Sequence, residues 1–335
     1  MPEHPRPRLV VSRCLELAAC RYDGVSIRAP WVRRLEPHVE LVPVCPEVEI
    51  GLGVPRDPVR LVQSARGLRM IQPATGRDLT PTMTGFAEEL LSGLGPVDGF
   101  LLKSRSPSCG VRDTKHFTGL EETEPAGRGP GLFARAVLER FGERAVEDEA
   151  RLEDDTHRHA FLTRLFALAR LRRLGERRPE AAGVRDLQDF HAAHKLVLMA
   201  HRRTALTALG RLLADPAGRS VAELLAAYRE GFAHALARPP GPGAHADVLM
   251  HAMGYFKGRL TAGEKARFLD GLERYRSGGL PLPALLATVR SWIDRFGQDY
   301  LAAQVYFDPY PRGLLSPAGD QAPGRDPGEP APGAS

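Results

Sequence analysis

The sequence predicts two domains of different fold class: an α/β domain with a mostly parallel sheet, followed by an all-α domain. In roughly the first 150 residues, short β-branched runs alternate with turn residues and helical segments. Longer segments with an apolar period of about 3.6 residues follow them. The composition changes at an acidic run, residues 147–155, and 335 residues are enough for two hydrophobic cores. We therefore expect domains over residues 1–152 and 153–311.

Three apolar runs in the first domain predict buried strands, at residues 8–12, 39–44 and 97–103. Two segments with helical periodicity, residues 80–94 and 130–141, accompany them. Strands that alternate with helices are joined by crossovers and run parallel. The carboxyl ends of parallel strands share one edge of the sheet, and α/β folds place their ligand sites at that edge.

The second domain is predicted to consist of helices only. Its periodic segments are residues 157–174, 187–214, 221–237, 246–260, 263–275 and 283–296. The last residues, 312–335, are mostly Pro, Gly and Ala with scattered charges. Because such a segment cannot bury enough apolar surface to become ordered, we expect a disordered tail.

The overall composition indicates a soluble cytoplasmic protein. Hydrophobic residues make up 43% and charged residues 26% of the chain. No stretch approaches the roughly eighteen apolar residues of a membrane span, and the N-terminus lacks the apolar core of a secretory signal. In a reducing compartment the four cysteines are too few for a disulfide scaffold. Metal binding or catalysis is then the better explanation for those that matter.

The net charge of +5 is unevenly distributed. Residues 1–150 carry 20 Arg and Lys against 21 Asp and Glu, whereas residues 151–314 carry 25 against 17. This excess favours a polyanionic partner for the second domain, because Arg clusters neutralise phosphates. Only 5 of the 46 basic residues are Lys, and such an Arg bias also arises from genome composition. Charge alone leaves both interpretations open.

Three cysteines follow predicted strands. Cys14 follows the first strand, Cys45 the second, and Cys109 the third after a short serine-rich loop. The carboxyl edge of a parallel sheet would bring these positions together. Three soft thiolates there suit an iron–sulfur cluster or zinc, and ordinary buried cysteines are the alternative.

The loops that carry these cysteines do not resemble core segments. Cys45 lies in VCPEVEIGLGVPRDPVRL, with Glu47 two residues on and a glycine-rich stretch behind it. Cys109 closes KSRSPSCGV, a polar loop with three serines and two cations. Polar loop residues that a rigid sheet positions are more often functional than residues inside an element. The loops therefore favour a site over a structural role.

The motifs VSRC, CRYDG, VCPEVEIGLGVPRDPVRL and LLKSRSPSCGV resemble the signature of the thiouracil desulfidase (TudS) family, over roughly residues 8–150. In the helical half, FHAAHKLVLMAHR, HAMGYFKGRL and GGLPLPALL resemble the YbgA-type domain. The combination is similar to RudS-type desulfidases, which act on 4-thiouridine in tRNA. The resemblance covers nearly the whole chain except both ends.

This resemblance implies a 4Fe-4S cluster held by three cysteines, Cys14, Cys45 and Cys109, with one iron free of protein ligands. An open iron is a Lewis acid that can bind a soft thiocarbonyl sulfur. A fourth thiolate would block that position. Cys20, six residues after Cys14, is therefore expected to be a partly buried bystander.

The resemblance also implies two catalytic residues. Glu47 is the expected general acid/base, with capping of loop N–H groups as its alternative and Glu49 as a less favoured candidate. Ser106 corresponds to the family's catalytic serine, although Ser-Pro also opens turns. Three further residues of the same loop are expected to line the substrate pocket: Lys103, Ser104 and Ser108.

Histidines in the second domain permit several interpretations. His191 and His194 lie three residues apart on one predicted helix, and His201 follows two turns later. The spacing permits metal binding, but no familiar zinc pattern accompanies it. We expect satisfied helix-face histidines or RNA contacts instead. Residues 251–259, with cations beside aromatics, suit RNA or a domain interface.

Together these features predict a desulfidase that hydrolytically converts 4-thiouridine in tRNA to uridine, with tRNA bound by the basic helical domain. One alternative is an enzyme that acts on free thiouracil or thionucleotides. Another is an iron–sulfur sensor or nucleic-acid-binding protein without this activity. A radical enzyme using S-adenosylmethionine is the least favoured class, because its CxxxCxxC loop is missing from the sequence.

Overall fold

A computed structural model describes residues 3–65, 67–121, 124–176, 183–216 and 218–314. The predicted disordered tail lies outside these residues except for 312–314. The strands are β1 (Arg8–Ser12), β2 (Glu40–Val44), β3 (Arg60–Ser64), β4 (Gly67–Gln72), β5 (Arg77–Asp78), β6 (Gly99–Leu102), β7 (Thr114–Phe117), β8 (Gly127–Gly129) and β9 (Ala145–Asp148). The helices of the first half are α1 (Pro30–Leu35), α2 (Pro46–Glu49), α3 (Thr80–Gly93) and α4 (Leu132–Phe141).

The helices of the second half are α5 (Asp155–Glu176), α6 (Val184–Ala193), α7 (Lys195–His201), α8 (Arg203–Ala214), α9 (Val221–Ala235), α10 (Pro242–Gly254), α11 (Ala262–Arg276), α12 (Leu282–Phe296) and α13 (Asp299–Ala302). The predicted fold class, α/β followed by all-α, is confirmed. Among the described helices, none combines the length and apolarity that crossing a membrane requires.

A four-stranded parallel sheet forms the centre of the first domain. Its order is β2-β1-β6-β9, and Val10 on β1 is in register with Val42 and Phe100 on its two neighbours. Alternate residues face opposite sides, as the pleat dictates. Val10 and Phe100 pack with α3 and α4, whereas Leu9 and Leu101 pack with α1 and α5. Burial on both faces explains the continuous apolar runs that predicted β1 and β6.

A second sheet was not predicted from the sequence. It has the order β5-β4-β3-β7-β8, with β3 and β7 parallel and the other pairs antiparallel. Its strands are two to six residues long and carry many polar side chains, so they lack the apolar runs that mark β1, β2 and β6. Leu61 and Met70 nevertheless join the core beside Phe100. Strand β9 was also missed, because half of it belongs to the acidic run.

The predicted helix over residues 187–214 is wrong. Three short helices, α6, α7 and α8, replace it, with breaks at His194 and Arg202. The backbone of Arg202 is extended, with φ −161° and ψ 97°. Apolar periodicity continues through both breaks, and no Gly or Pro marks them, so the sequence pattern could not reveal them. The helix predicted over 246–260 likewise ends at Gly254 and continues as turns.

Helix α5 belongs to both hydrophobic cores. Leu162 and Phe166, near its start, pack with Leu9 and Leu101 of the parallel sheet. Leu168 and Leu171, which follow Phe166 on the same helix, pack in the core of the helical half. Tyr310 and Leu314, at the other end of that half, return to the first core. The boundary at residue 152 stays a prediction, but cutting the chain there would remove core residues from the first domain.

Candidate functional site

The four strands of the parallel sheet each deliver site residues at their carboxyl ends. Cys14 comes two residues after β1, Cys45 directly after β2, and Lys103 directly after β6. Glu149 comes directly after β9. Ser12, the last residue of β1, accepts a hydrogen bond from the backbone N–H of Lys103 (2.9 Å), which ties two of these ends together. The sheet edge is therefore where the chemistry converges.

All four cysteines line one cavity of about 350 Å³ at this edge. Cys14, Cys45 and Cys109 are 5–9% exposed, and Cys20 is 6% exposed. The sequence placed Cys20 outside the ligand set, but the geometry brings it into the same cavity. The Sγ of Cys45 lies 3.7 Å from the backbone carbonyl of Cys20 and donates to it. Which thiols act as ligands is not decided by proximity alone.

Burial makes three thiols, those of Cys14, Cys20 and Cys109, poor acids. It raises the pKa of Cys14 to about 12 and that of Cys20 to about 11, and it raises the pKa of Cys109 well above its usual value. Lys103 partly offsets the effect at Cys14. Buried thiols become thiolates readily only when a cation compensates the charge. A set of soft donors that needs a cation fits an iron–sulfur cluster.

A single metal ion is a poorer fit than a cluster. Within the described ranges, no three His, Cys, Asp or Glu side chains are arranged to hold one ion. A four-iron cluster binds each thiolate to a different iron, so its ligands line a cavity and need not meet at one point. Thiols spread around a cavity of this size meet that requirement.

Glu47 lies in the cavity wall within a network of side chains. Its Oε2 accepts hydrogen bonds from Arg56 Nη2 (2.7 Å) and Nε (3.0 Å), and its Oε1 accepts one from Ser108 Oγ (2.9 Å). The Glu47 side chain is 13% exposed and that of Arg56 only 4%. Loop N–H groups, which the capping interpretation required, are not among its described partners. Glu49 instead pairs with Arg13 and does not line the cavity.

Ser106 organises the loop that ends at Cys109. Its Oγ accepts hydrogen bonds from the backbone N–H of Ser108 (3.2 Å) and of Cys109 (3.1 Å). This is the turn that Ser-Pro sequences favour. Ser106 also lines the cavity, so its hydroxyl is available to a ligand. The structural and the catalytic interpretation are therefore compatible, and a variant that separates them is described below.

Lys103 and Ser104 bind Glu149, which the sequence analysis missed. Lys103 Nζ donates to Glu149 Oε1 (2.6 Å). The N–H of Ser104 donates to Glu149 Oε2 (2.7 Å), and its Oγ donates to Oε1 (2.8 Å). Lys103 and Ser104 line the cavity as predicted, whereas Ser108 lies behind Glu47 and does not. Glu149 belongs to the acidic run of residues 147–155, which was expected to mark the boundary between the domains. Its partners show that the run holds the cavity together.

The mouth of the cavity is basic and aromatic. Tyr22 is 42% exposed there, and the Arg21 guanidinium lies over its ring, 5.1 Å from the centroid. Arg105 lines the same mouth, and its guanidinium makes no ion pair with any residue the structure describes. It has a left-handed backbone (φ 58°), held by a hydrogen bond from its N–H to Asp113 Oδ1 (2.8 Å). Such a mouth suits a planar ring that carries a phosphate.

Sequence reasoning also missed Arg56. It lies in the loop after α2, and its guanidinium donates to Glu47 and to the carbonyls of Cys20 (3.1 Å) and Gly53 (2.9 Å). The arginine within GVPRDP, so close to Glu47 in sequence, was a usable signal. The sequence signal for Glu149 was weaker, because the acidic residues of β9 made that strand hard to recognise.

The histidines of the second domain lie apart from this cavity. His194 is 1% exposed and stacks on Phe190 at 3.9 Å between ring centroids, so it has no surface for RNA. His191 bonds Tyr228 Oη (3.0 Å). His191 is thus a satisfied histidine as expected, whereas His194 bonds the Phe190 carbonyl through Nδ1 (2.8 Å) and its buried Nε2 has no partner among the described residues. His201 lines a different cavity, described below.

Comparison with known proteins gives two family matches in separate parts of the chain. Residues 9–149 match the family model described as 2-thiouracil desulfurase, and residues 195–311 match a family model of unknown function, DUF1722. The chain is 31% identical over 163 residues to the uncharacterized protein YbgA of Escherichia coli K12, covering 48% of this chain and 92% of YbgA. It is 29% identical over 149 residues to the uncharacterized protein YbbK of Bacillus subtilis 168, covering 42% and 95%.

One solved structure is also similar, that of the [4Fe-4S]-dependent thiouracil desulfidase TudS. It is 31% identical and covers 44% of this chain and 93% of its own. The TM-score is 0.35, which is too low for the superposition itself to bear on the fold.

Proposed function

The chain belongs to the YbgA family and carries a 2-thiouracil desulfurase domain followed by a DUF1722 domain, and we propose that it hydrolytically removes sulfur from a thiolated pyrimidine. The observation that carries the proposal is the cavity in which buried thiols face the Glu47–Arg56 pair. In the reaction a C–O bond forms from water, the C–S bond breaks, and sulfide leaves without net redox change.

Cys14, Cys45 and Cys109 would hold a 4Fe-4S cluster, consistent with the cofactor in the name of the TudS relative. When bound, that cluster would supply a Lewis-acidic iron with affinity for thiocarbonyl sulfur. The set of three rests on the family motifs. Cys20 is left out because a fourth thiolate would occupy the position that a substrate needs.

Glu47 is the proposed general base toward the attacking water. Arg56 and Ser108 fix its carboxylate from two sides: Oε2 accepts both bonds from Arg56, whereas Oε1 accepts one from Ser108 and keeps a second lone pair for a proton. Preorganisation of this kind is what general-base catalysis requires. Arg56 and Ser108 are therefore positioning residues. Lys103, held by Glu149, places a positive charge beside Cys14 and the reacting ring.

Two substitutions at Ser106 distinguish its structural role in the turn from a catalytic role of its hydroxyl. Ser106→Ala removes both and should destabilise the fold by about 1 kcal/mol, because two N–H groups lose their acceptor. Ser106→Asn keeps an acceptor for the turn. If the hydroxyl transfers a proton, both variants lose sulfur-removal activity by about a hundredfold. Thermal melting is the control for folding. If Ser106→Asn keeps the wild-type rate, Ser106 stabilises the turn and does not transfer a proton.

We propose 4-thiouridine in tRNA as the substrate. Two observations favour it over free thiouracil. Residues 151–314 carry an excess of basic residues, and the mouth of the cavity carries Arg105 beside Tyr22. A free base has no phosphate with which Arg105 could pair. A base within folded tRNA would have to be extruded to reach the cavity. The free base remains the second candidate, since the cavity itself is large enough for one.

A charge-reversal variant of the full chain distinguishes the two substrates. Truncation is unsuitable, because α5 supplies core residues to the first domain. The double variant Lys257→Glu, Arg267→Glu changes two exposed cations of the helical half. If tRNA binds there, kcat/KM for thiolated tRNA should fall about tenfold at moderate salt and depend less on salt. The rate on 4-thiouracil should not change.

Lys115→Glu, an exposed cation on β7 of the first domain, is the matched control. Equal loss on both substrates, or no loss on either, would count against tRNA binding by this face. Accumulation of sulfide from 4-thiouracil but never from thiolated tRNA would favour the free-base enzyme.

A further inference from the structure

The helical half contains a second cavity of about 350 Å³ that the proposed reaction does not use. Its walls come from α5, α7, α10 and the loop between α11 and α12. Three histidines line it: His159 on α5, His201 on α7 and His245 on α10. The rings of His159 and His245 are 6.2 Å apart between centroids. No sequence spacing connected these three residues.

Each of these rings is held through Nδ1. His159 Nδ1 bonds Tyr310 Oη (2.8 Å), His245 Nδ1 bonds Tyr306 Oη (2.8 Å), and His201 Nδ1 lies 3.0 Å from the Arg238 carbonyl. A carbonyl only accepts, so Nδ1 of a neutral His201 carries the proton and Nε2 presents a lone pair. None of the three Nε2 atoms hydrogen-bonds to a residue that the structure describes.

The cavity is mostly apolar, and its polar groups carry little positive charge. Burial lowers the pKa of His159 and of His201 to about 4 and that of His245 to about 3, so all three rings are neutral near pH 7. Asp155 lines the cavity, where it is already paired with Arg158. A phosphate or other anion would find no cation to compensate it. The site therefore suits a neutral ligand.

Thr163 is a wall residue whose hydroxyl does not reach the surface of the cavity. It lines the cavity and is 6% exposed, yet its Oγ1 is buried without a hydrogen bond to any described residue. A buried hydroxyl without a partner costs about 1–3 kcal/mol. Apolar and aromatic residues form the rest of the wall, including Leu280, Leu282 and Tyr275. Apolar walls with a few convergent polar groups are typical of small-molecule sites.

We infer that this cavity binds a neutral planar heterocycle of nucleoside size. The volume is that of a small-molecule pocket and far exceeds that of a metal ion. No three ligating side chains among the described residues are arranged for a metal. The neutral Nε2 atoms of the three histidines would pair with polar groups of the ring, while Tyr275 and the leucines would cover its faces. The inference concerns a site apart from the cluster cavity and does not depend on desulfidase activity.

Calorimetric titration of the full chain with uridine and adenosine tests the inference, with their 5′-monophosphates as charged comparators. At least one nucleoside should bind, and its monophosphate should bind about tenfold more weakly or not at all. Lys115→Glu, an exposed cation on β7, should bind the nucleoside as the wild type does. The nucleosides carry no sulfur to remove, so a failure of the desulfidase proposal would leave this result unaffected.

His245→Phe should weaken nucleoside binding about fivefold, because it removes an Nε2 atom that lines the cavity and bonds no described residue. His201→Phe should weaken it similarly. Thr207→Val, an exposed threonine on α8, is the control outside the cavity. Absence of binding at millimolar nucleoside, or affinities equal to wild type in both cavity variants, would overturn the inference. Stoichiometric Zn²⁺ binding abolished by His201→Phe would overturn it in favour of a metal site.

Discussion

Replacing Cys109 by serine is expected to remove the cluster and abolish sulfur release. Serine oxygen is a hard donor that binds iron–sulfur clusters poorly, and Cys109 is 5% exposed, so water cannot easily replace the lost ligand. Iron and acid-labile sulfide per chain, measured after anaerobic reconstitution, should fall at least about tenfold, as should activity on 4-thiouracil. Cys14→Ser and Cys45→Ser should behave alike.

Cys20→Ser is the decisive control, because the structure places this thiol in the same cavity. If three cysteines hold the cluster, the Cys20 variant keeps its iron and most of its activity. If Cys20 were a fourth ligand, its loss would lower iron content as strongly as the loss of Cys109. A cluster held by four thiolates would have no iron open to substrate, so that outcome would contradict the proposed chemistry as well as the ligand set.

Glu47→Gln is expected to lower kcat by about two to four orders of magnitude while the cluster content stays at the wild-type level. Glutamine has the same shape but cannot take a proton from water. It also leaves the buried Arg56 guanidinium without its carboxylate, at a cost of about 2 kcal/mol in the free energy of unfolding. Turnover and thermal melting are measured together, so that lost chemistry is distinguished from lost folding.

Glu49→Gln provides the matched comparison two residues away. Glu49 pairs with Arg13 at a partly exposed position and does not line the cavity. Its variant should turn over within about twofold of wild type. Arg56→Met leaves Glu47 unchanged but unpaired, and it should reduce kcat less than Glu47→Gln does. Equal rates in the Glu47 and Glu49 variants would rule out Glu47 as the general base.

The site could be predicted in outline because strand ends are local features. Cys14, Cys45 and Lys103 each follow an apolar run that forms a strand of the parallel sheet, and parallel strands bring their carboxyl ends to one edge. That reasoning placed the thiols together correctly. It could not place Arg56 or Glu149, because pairing between distant loops depends on how the chain packs.

The helix predicted over residues 187–214 was wrong because the apolar periodicity continues across positions where the helix breaks. The apolar period across residues 187–214 predicts one helix, yet the chain turns at His194 and Arg202 so that each short helix buries its own apolar face. Periodicity reports which residues are buried and not against what they pack. The second sheet escaped notice for a related reason, since its short strands are stabilised by neighbours far away in sequence.

By itself the sequence determined the fold classes of the two halves, the parallel sheet and the edge at which the thiols meet, because these follow from local hydrophobic patterns and chain connectivity. Only the tertiary structure decided that Cys20 shares the cavity, that Arg56 and Ser108 hold Glu47, and that an acidic run anchors Lys103. It alone brought three distant histidines around one cavity. Side-chain pairs between loops depend on packing of the whole chain, which no local pattern encodes.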